Sequence, residues 1–190
     1  RISASEVSSV ALAQSSAVLG GLPYWDAAGG SFEGLKVTLG ESLTSLTVAF
    51  LMRTPLTSTY SIPACLGDDS GSRSMILFST GGVAEIQHGT TDRHTDASQS
   101  VAANTWTVGF WTFDESDNGA QLYIDDSVTP QMDETMVNNL SSSLIFSIFA
   151  SGNGTLPGQM DEAVVRVWNK VLDADERATV MRALGNIRDA

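Results

Sequence analysis

The sequence predicts an all-β fold, a sandwich or barrel of antiparallel strands, with one short helix near the C-terminus. Many short segments are rich in β-branched and aromatic side chains and alternate between apolar and polar positions. Gly, Asp, Asn and Ser separate these segments, as expected of turns. Repeated short strands with turns between them are typical of sandwiches and barrels.

The clearest strand signal is at residues 44–53, where Leu46, Val48, Phe50 and Met52 fall on one face of an extended chain. Further strands are predicted at residues 74–80, 83–88, 105–113, 120–126, 144–149 and 160–168.

Two glycine-containing turns divide these strands. Gly81-Gly82 and Asp117-Asn118-Gly119 offer the residues that a tight hairpin needs at positive φ. Strands that are adjacent in the sequence are therefore expected to pair.

One helix is predicted at residues 173–184. Asp173 can cap its N-terminus together with Glu176, and Gly185 is expected to end it. Ala174, Ala178, Met181 and Leu184 would then form its buried face.

The N-terminal residues are set apart from the strand pattern. Apolar side chains in residues 5–19 recur at helical spacing, but an extended arm fits this small-residue segment equally well. We therefore expect an arm or short helix at 1–22 and a sandwich domain at 23–190. The chain opens with Arg1, and its first residues lack a secretory-signal pattern, which suggests processing or trimming of a longer chain.

Composition excludes several classes of function. The 190 residues include 10 basic and 22 acidic side chains, a formal charge of −12, which disfavours a nucleic-acid partner. No apolar run approaches the roughly 20 residues that a membrane-spanning helix needs. The single cysteine, Cys65, excludes an internal disulfide framework.

The C-terminal segment GQMDEAVVRVWNKVLDADERATVMRAL resembles the end of laminin-G-like, concanavalin A-like jelly-roll domains. In that family a strand with an Asp-Glu pair and an aromatic residue leads through an Asn-x-x-Leu turn into an acidic-capped helix. The matching positions are Gly158, Asp161, Glu162, Val165, Trp168, Asn169, Leu172, Glu176 and Leu184.

The segment NTWTVGFWTFDESDNGAQLYIDD resembles the central hairpin of the same family. The matching positions are Trp106, Gly119, Leu122, Tyr123, Ile124 and Asp125, whereas Asp126 stands where the family usually has Gly. The resemblance covers about residues 30–185. It implies a two-sheet antiparallel jelly-roll sandwich, in which we expect Trp106, Phe110 and Trp168 to lie in the core.

The resemblance implies the non-catalytic branch of this superfamily, because the Glu-x-Asp-x-(x)-Glu run of its glucanases is missing. Asp161 and Glu162 are adjacent and would face opposite sides of a strand, and Asp133-Glu134 is expected in a loop. Plentiful Ser with two His residues leaves a Ser-His-Asp arrangement open, although no Gly-x-Ser-x-Gly motif accompanies them.

Ligand-binding residues are predicted in three places. Asp92, His94 and Asp96 would share one face of an extended segment, where they could hydrogen-bond a sugar or hold a divalent ion. Tyr60 and Trp111 are candidates for exposed rings that stack on a sugar.

The acidic loop at residues 67–71 is a candidate calcium site. Asp68 and Asp69 are the predicted ligands, because Ca²⁺ prefers oxygen donors and laminin-G-like domains often hold calcium at one rim. An ordinary turn with the same residues is the alternative.

Two functions follow. The first is a non-catalytic recognition or adhesion module, extracellular or on a virion surface, that binds a cell-surface polysaccharide or a protein through its rim loops. The alternative is a decoration or cement protein of a virus or phage particle, attached to other subunits partly by the arm at 1–22.

Overall fold

The fold consists of two antiparallel sheets followed by one helix. A computed structural model describes residues 5–6, 11–13, 24–28, 35–39, 41–56, 60–67, 73–140, 145–148 and 159–190. In chain order its elements are β1 (Ser5–Glu6), β2 (Ala11–Ala13), β3 (Tyr24–Ala28), β4 (Leu35–Thr38), β5 (Ser45–Arg53), β6 (Tyr60–Leu66), β7 (Ser74–Ser79), β8 (Val83–His88), β9 (Asp92–Ser100), β10 (Thr107–Asp114), β11 (Gly119–Ile124), β12 (Met132–Thr135), β13 (Ile145–Ile148), β14 (Gln159–Trp168) and α1 (Ala174–Arg188).

The strands are divided between two sheets of the described chain. The first sheet has the order β1-β4-β13-β6-β7-β8-β9, and the second has the order β12-β11-β10-β5-β14-β3-β2. Every described pairing is antiparallel. The predicted two-sheet sandwich with one C-terminal helix is confirmed.

The hairpins confirm the predicted turns. Gly81 and Gly82 have φ of 89° and 80° between β7 and β8, and Asn118 has φ of 56° between β10 and β11. A Cβ at Gly82 would come within 2.3 Å of the Val101 carbonyl oxygen, so this turn requires glycine for space as well as for conformation.

Several strands were not predicted. Residues 24–28, 35–38 and 60–66 are strands, and so are 92–100 and 132–135. The expected loop around Asp133-Glu134 is therefore wrong. For residues 5–19 the helix is wrong where the chain is described, since Ser5–Glu6 pairs with β4 and Ala11–Ala13 pairs with β3. The division between 1–22 and 23–190 stays a prediction.

Strand β10 is buried on both faces, and this corrects the expected location of its aromatic rings. Trp111 and Phe113 point between the sheets. Trp106, Val108 and Phe110 belong instead to a second apolar cluster, which lies beneath α1. Trp106 and Phe110 are buried as predicted, but the helix covers them, and it is Trp111 that fills the space between the sheets. Trp168, also expected in the core, is only partly buried against the cluster beneath α1.

Gly109 makes room for a large neighbour in that space. A Cβ at this position would lie 2.1 Å from the ring of Phe50 on β5, which is fully buried. The ring can therefore occupy the inner surface of the second sheet without displacing β10.

The helix begins as predicted and ends later than predicted. The Asp173 carboxylate accepts from the Glu176 amide at 2.8 Å, and Glu176 accepts from the Asp173 amide at 3.1 Å, which completes a capping box. Gly185 lies inside the helix, which continues to Arg188, where the guanidinium bonds Asp125 at 3.0 Å. Met181 is buried.

The predicted apolar face of α1 is only half buried, because Leu184 is buried with Met181 whereas Ala174 and Ala178 are exposed. No helix in the described part of the chain is long and apolar enough to cross a membrane.

Candidate functional site

The edge strands of the two sheets meet on one side of the sandwich and bring together Asp92, His94 and Glu134, which we call the edge cluster. Asp92 and His94 lie on β9, and Glu134 lies on β12 of the opposite sheet. His94 Nε2 is 3.3 Å from Asp92 Oδ1, and His94 Nδ1 is 2.8 Å from Glu134 Oε2. Asp92 and His94 thus lie together as predicted, and His94 also contacts Glu134 of the other sheet.

Asp92 also fixes the loop that follows β12. This carboxylate is buried, and its Oδ2 accepts hydrogen bonds from the amides of Val137 at 2.6 Å and Asn138 at 2.9 Å. Asp92 therefore connects β9 to this loop through hydrogen bonds within the protein.

His88 lies behind the edge cluster in the core. Its Nδ1 is 3.1 Å from the Asn138 carbonyl oxygen, and its ring meets Phe113 and Trp111 edge-on at centroid distances of 4.6 and 6.1 Å. Burial lowers the pKa of His88 and favours the neutral ring. Neutral His88 therefore donates from Nδ1 to Asn138, and its Nε2 has no hydrogen-bond partner.

The contacts of His94 differ from those of a general base in a Ser-His-Asp arrangement. A general base needs one ring nitrogen directed at a nucleophile, but both nitrogens of His94 face carboxylates. Within the described residues, no group of three or more His, Cys, Asp or Glu side chains is arranged to hold a metal. The edge cluster joins the two sheets and offers His94 and Glu134, each 32% exposed, at its surface.

The other predicted ligand residues do not join the edge cluster. Asp96 Oδ1 accepts from the amide and hydroxyl of Ser98 at 2.8 and 2.6 Å. Tyr60 is half-buried on the outer face of the first sheet beside Ile62 and Cys65, the latter being buried. The binding roles of Asp92, His94, Asp96 and Tyr60 stay predictions.

The structure corrects the prediction for Trp111. It is fully buried between the sheets, so the expected exposed ring is wrong. Asp68 and Asp69 lie outside the described residues, and calcium binding there stays a prediction.

A surface groove lies where the end of β14 meets the start of α1, and we call it the helix groove. Its volume is about 370 Å³. The lining residues are Trp168, Leu172, Asp175, Glu176, Thr179 and Val180. It therefore combines a partly exposed aromatic ring, an apolar floor and two carboxylates.

Hydrogen bonds hold the walls of the helix groove. Thr47 on β5 accepts from the Leu172 amide at 3.0 Å and donates to the Lys170 carbonyl at 2.9 Å, which fixes the turn between β14 and α1. Glu176 forms the capping box and an ion pair with Lys170. The Lys170 and Asp173 hydrogen bonds lower the pKa of Glu176, so this carboxyl stays ionised.

A second groove of about 440 Å³ runs along the other side of α1. Its walls include Val128, which is 84% exposed, Met181 and the charged residues Asp126, Arg177 and Arg182. Neither groove was predicted from the sequence, since each requires the packing of α1 on the second sheet.

Comparison with known proteins identifies the fold and not the family. No protein-family model matches the sequence, and no curated protein does. Solved structures share the two-sheet sandwich: the binding domain of botulinum neurotoxin serotype G matches with a TM-score of 0.67 and 14% identity. The match covers 96% of this chain and 46% of that chain.

Botulinum neurotoxin D domains match similarly. Its receptor-binding domain gives a TM-score of 0.68 at 13% identity over 96% of this chain and 48% of that one. A serotype D ligand-binding domain in complex with N-acetylneuraminic acid gives a TM-score of 0.68 at 13% identity. That match covers 96% of this chain and 46% of the other chain. The chain thus spans about half the length of these domains. At this identity the likeness establishes the sandwich fold, and the laminin-G-like resemblance and the virion role stay predictions.

Proposed function

We propose that this chain is a non-catalytic recognition domain that binds carbohydrate in the helix groove, against the ring of Trp168. The observation that carries the proposal is the combination of an aromatic ring, an apolar floor and two carboxylates in one open groove. An indole ring offers a flat apolar surface at the boundary with water, and the C–H face of a hexose is apolar in the same way. Carboxylate oxygens accept hydrogen bonds from sugar hydroxyls and set the orientation of the ring.

The edge cluster supports a binding role rather than a catalytic one. Both nitrogens of His94 are engaged by carboxylates, and the Asp92 oxygens accept backbone amides. The solved relatives are binding domains, one of them in complex with a sugar acid, which is in keeping with recognition of a surface glycan outside the cell.

The shape of the groove limits the affinity. An open groove of this size buries one or two sugar rings, so we expect dissociation constants roughly in the millimolar range for a single site, about −4 kcal/mol. Several copies on one surface would strengthen attachment by avidity.

The test is a glycan array followed by calorimetry with the full chain and the variants Trp168→Ala and Trp168→Phe. We expect wild-type binding, partial retention in Trp168→Phe and loss in Trp168→Ala. Val137→Ser is the matched control, because Val137 is an exposed apolar residue outside the groove.

Saturation-transfer NMR on the wild-type protein needs no variant and should show sugar C–H protons next to an aromatic ring. Binding that Trp168→Ala leaves intact in a folded protein, or the absence of saturation transfer to every sugar tested at millimolar concentration, rejects the proposal.

A further inference from the structure

The charges of the helix groove restrict which carbohydrates it can accept. Its lining residues include Asp175 and Glu176 and no Lys, Arg or His. Glu176 is held ionised by its hydrogen bonds, and Asp175 lies beside it in the first turn of α1. A ligand in this groove therefore meets two carboxylates.

The cations around the groove are already engaged. Lys170 is paired with Glu176. The Arg177 guanidinium donates to the Leu172 carbonyl at 2.6 Å and lies over the Tyr123 ring, 4.6 Å from its centroid, on the side of the sheet. An acidic sugar would have to compete with Glu176 for Lys170.

The start of a helix generally attracts anions, so the two effects must be weighed. Amide groups at the first turn carry partial positive charge. In α1 that charge is met by the protein itself, since Asp173 accepts from the Glu176 amide and both Asp175 and Glu176 stand in the first turn. Asp173, Asp175 and Glu176 carry three formal negative charges at the start of α1, which exceed the charge of Lys170 and the half charge of the helix end taken together. The groove is therefore net negative.

We infer that the helix groove selects neutral or amino sugars and discriminates against sialylated and other acidic glycans. This inference rests on the proposed function and names its ligand class. Neutral hydroxyls donate to the Asp175 and Glu176 carboxylates while the C–H face contacts Trp168. The −12 charge of the whole chain acts in the same direction.

The preference distinguishes this chain from its solved relative in complex with N-acetylneuraminic acid. Two like charges about 6 Å apart in a water-exposed groove repel enough to weaken binding roughly three- to tenfold. Because the groove is open, salt should reduce this difference.

The experiment compares pairs of ligands that differ in charge. Lactose and 3′-sialyllactose differ by one acidic sugar, and N,N′-diacetylchitobiose and its deacetylated form differ by added positive charge. Each is titrated into the full chain at low and high salt, with Asp175→Asn as the charge variant. We expect lactose to bind roughly three- to tenfold more tightly than sialyllactose at low salt, a smaller ratio at high salt and a smaller ratio in Asp175→Asn.

The outcomes separate the two proposals. Equal or tighter binding of sialyllactose that still depends on Trp168 overturns the ligand class and leaves the groove as the binding site. Absence of Trp168-dependent binding for every member of a panel of neutral, amino and acidic sugars overturns both. A lactose preference unchanged by Asp175→Asn and by salt also overturns the inference, since the selection would then have another cause.

Discussion

Two buried carboxyl groups, Asp92 on β9 and Glu162 on β14, solve the same problem in opposite ways. Asp92 accepts two backbone amides and lies 3.3 Å from a His94 nitrogen. Glu162 is fully buried, and neither of its oxygens has a hydrogen-bond partner. Burial raises the pKa of Glu162 well above its usual range, so it is held in the sandwich as a neutral acid.

The difference separates a buried carboxyl group that organises the fold from one that destabilises it. A buried anion with several donors is stabilised by them, whereas a buried polar group without a partner loses its hydration and gains little. Asp161, the neighbour of Glu162, shows how local the distinction is: it faces the other side of β14 and pairs with Arg53 at 2.7 Å. The predicted opposite orientation of this Asp-Glu pair is confirmed.

The largest effect is expected at Asp92. Asp92→Ala leaves two amides and the His94 ring without the carboxyl group that accepts from them, and we expect the free energy of unfolding to fall by roughly 3 kcal/mol. Urea unfolding followed by tryptophan fluorescence measures this change. Asp96→Ala is the matched control, since Asp96 is a partly exposed carboxylate on the same strand. If Asp92→Ala lowers the free energy of unfolding by no more than Asp96→Ala does, the hydrogen bonds of Asp92 to this loop do not stabilise the fold as expected.

The opposite sign is expected at Glu162. Glu162→Leu removes an unpaired buried carboxyl and keeps an apolar side chain of similar size, so we expect the free energy of unfolding to rise by about 2 kcal/mol at neutral pH. Asp161→Ala, one residue away, should instead destabilise the protein because its ion pair with Arg53 is lost. A destabilised Glu162→Leu variant with an unchanged urea slope would show that the carboxyl is stabilising where it lies.

Glu162 and His88, two buried groups with shifted pKa values, also predict a pH profile. A carboxyl with a raised pKa in the folded chain contributes stability below its unfolded value, near 4.5, and loses it as the pH rises through the folded value. The slope in that window is about 1.4 kcal/mol per pH unit. His88, whose pKa burial lowers, contributes stability above 6.5 and loses it as the pH falls through its folded value.

Glu162→Gln separates these two limbs. It cannot ionise, so the decline of stability towards alkaline pH should flatten while the loss of stability at acid pH, to which His88 contributes, remains. Urea midpoints measured across acid, neutral and alkaline pH test this. An alkaline limb unchanged in Glu162→Gln assigns that limb to another group.

The local part of this architecture was open to prediction from sequence. Glycines at 81–82 and the Asn118 turn specify hairpins through their own φ angles, and the Asp173–Glu176 capping box starts α1. The sequence did not predict which face of β10 points between the sheets. Both faces of this strand are apolar, because α1 covers the one that points away from the first sheet. The end of α1 was predicted too early for a similar reason. Arg188 in its last turn pairs with Asp125, which is distant from α1 in the sequence.

The candidate sites show the same division. Alternate spacing placed Asp92 and His94 together correctly, but Glu134 reaches them from another sheet, and no local pattern records that pairing. One signal was available: Met132 and Met136 are buried on either side of Glu134 at period two, which is a strand pattern rather than a loop. The helix groove had no such signal, because its walls come from β14 and α1 after they pack.

The smallest effect is expected at Glu134, a third carboxylate intermediate between the other two. It bonds His94 as Asp92 does, but both partners are 32% exposed, so water and salt screen the pair. Glu134→Gln should lower the free energy of unfolding by about 0.5 kcal/mol at low salt, and near 1 M salt the difference should vanish. The Asp92→Ala loss should persist at both salt concentrations, because its amide donors are buried with it. If Glu134→Gln destabilises as strongly as Asp92→Ala, the edge cluster acts as one unit and burial alone does not rank its members.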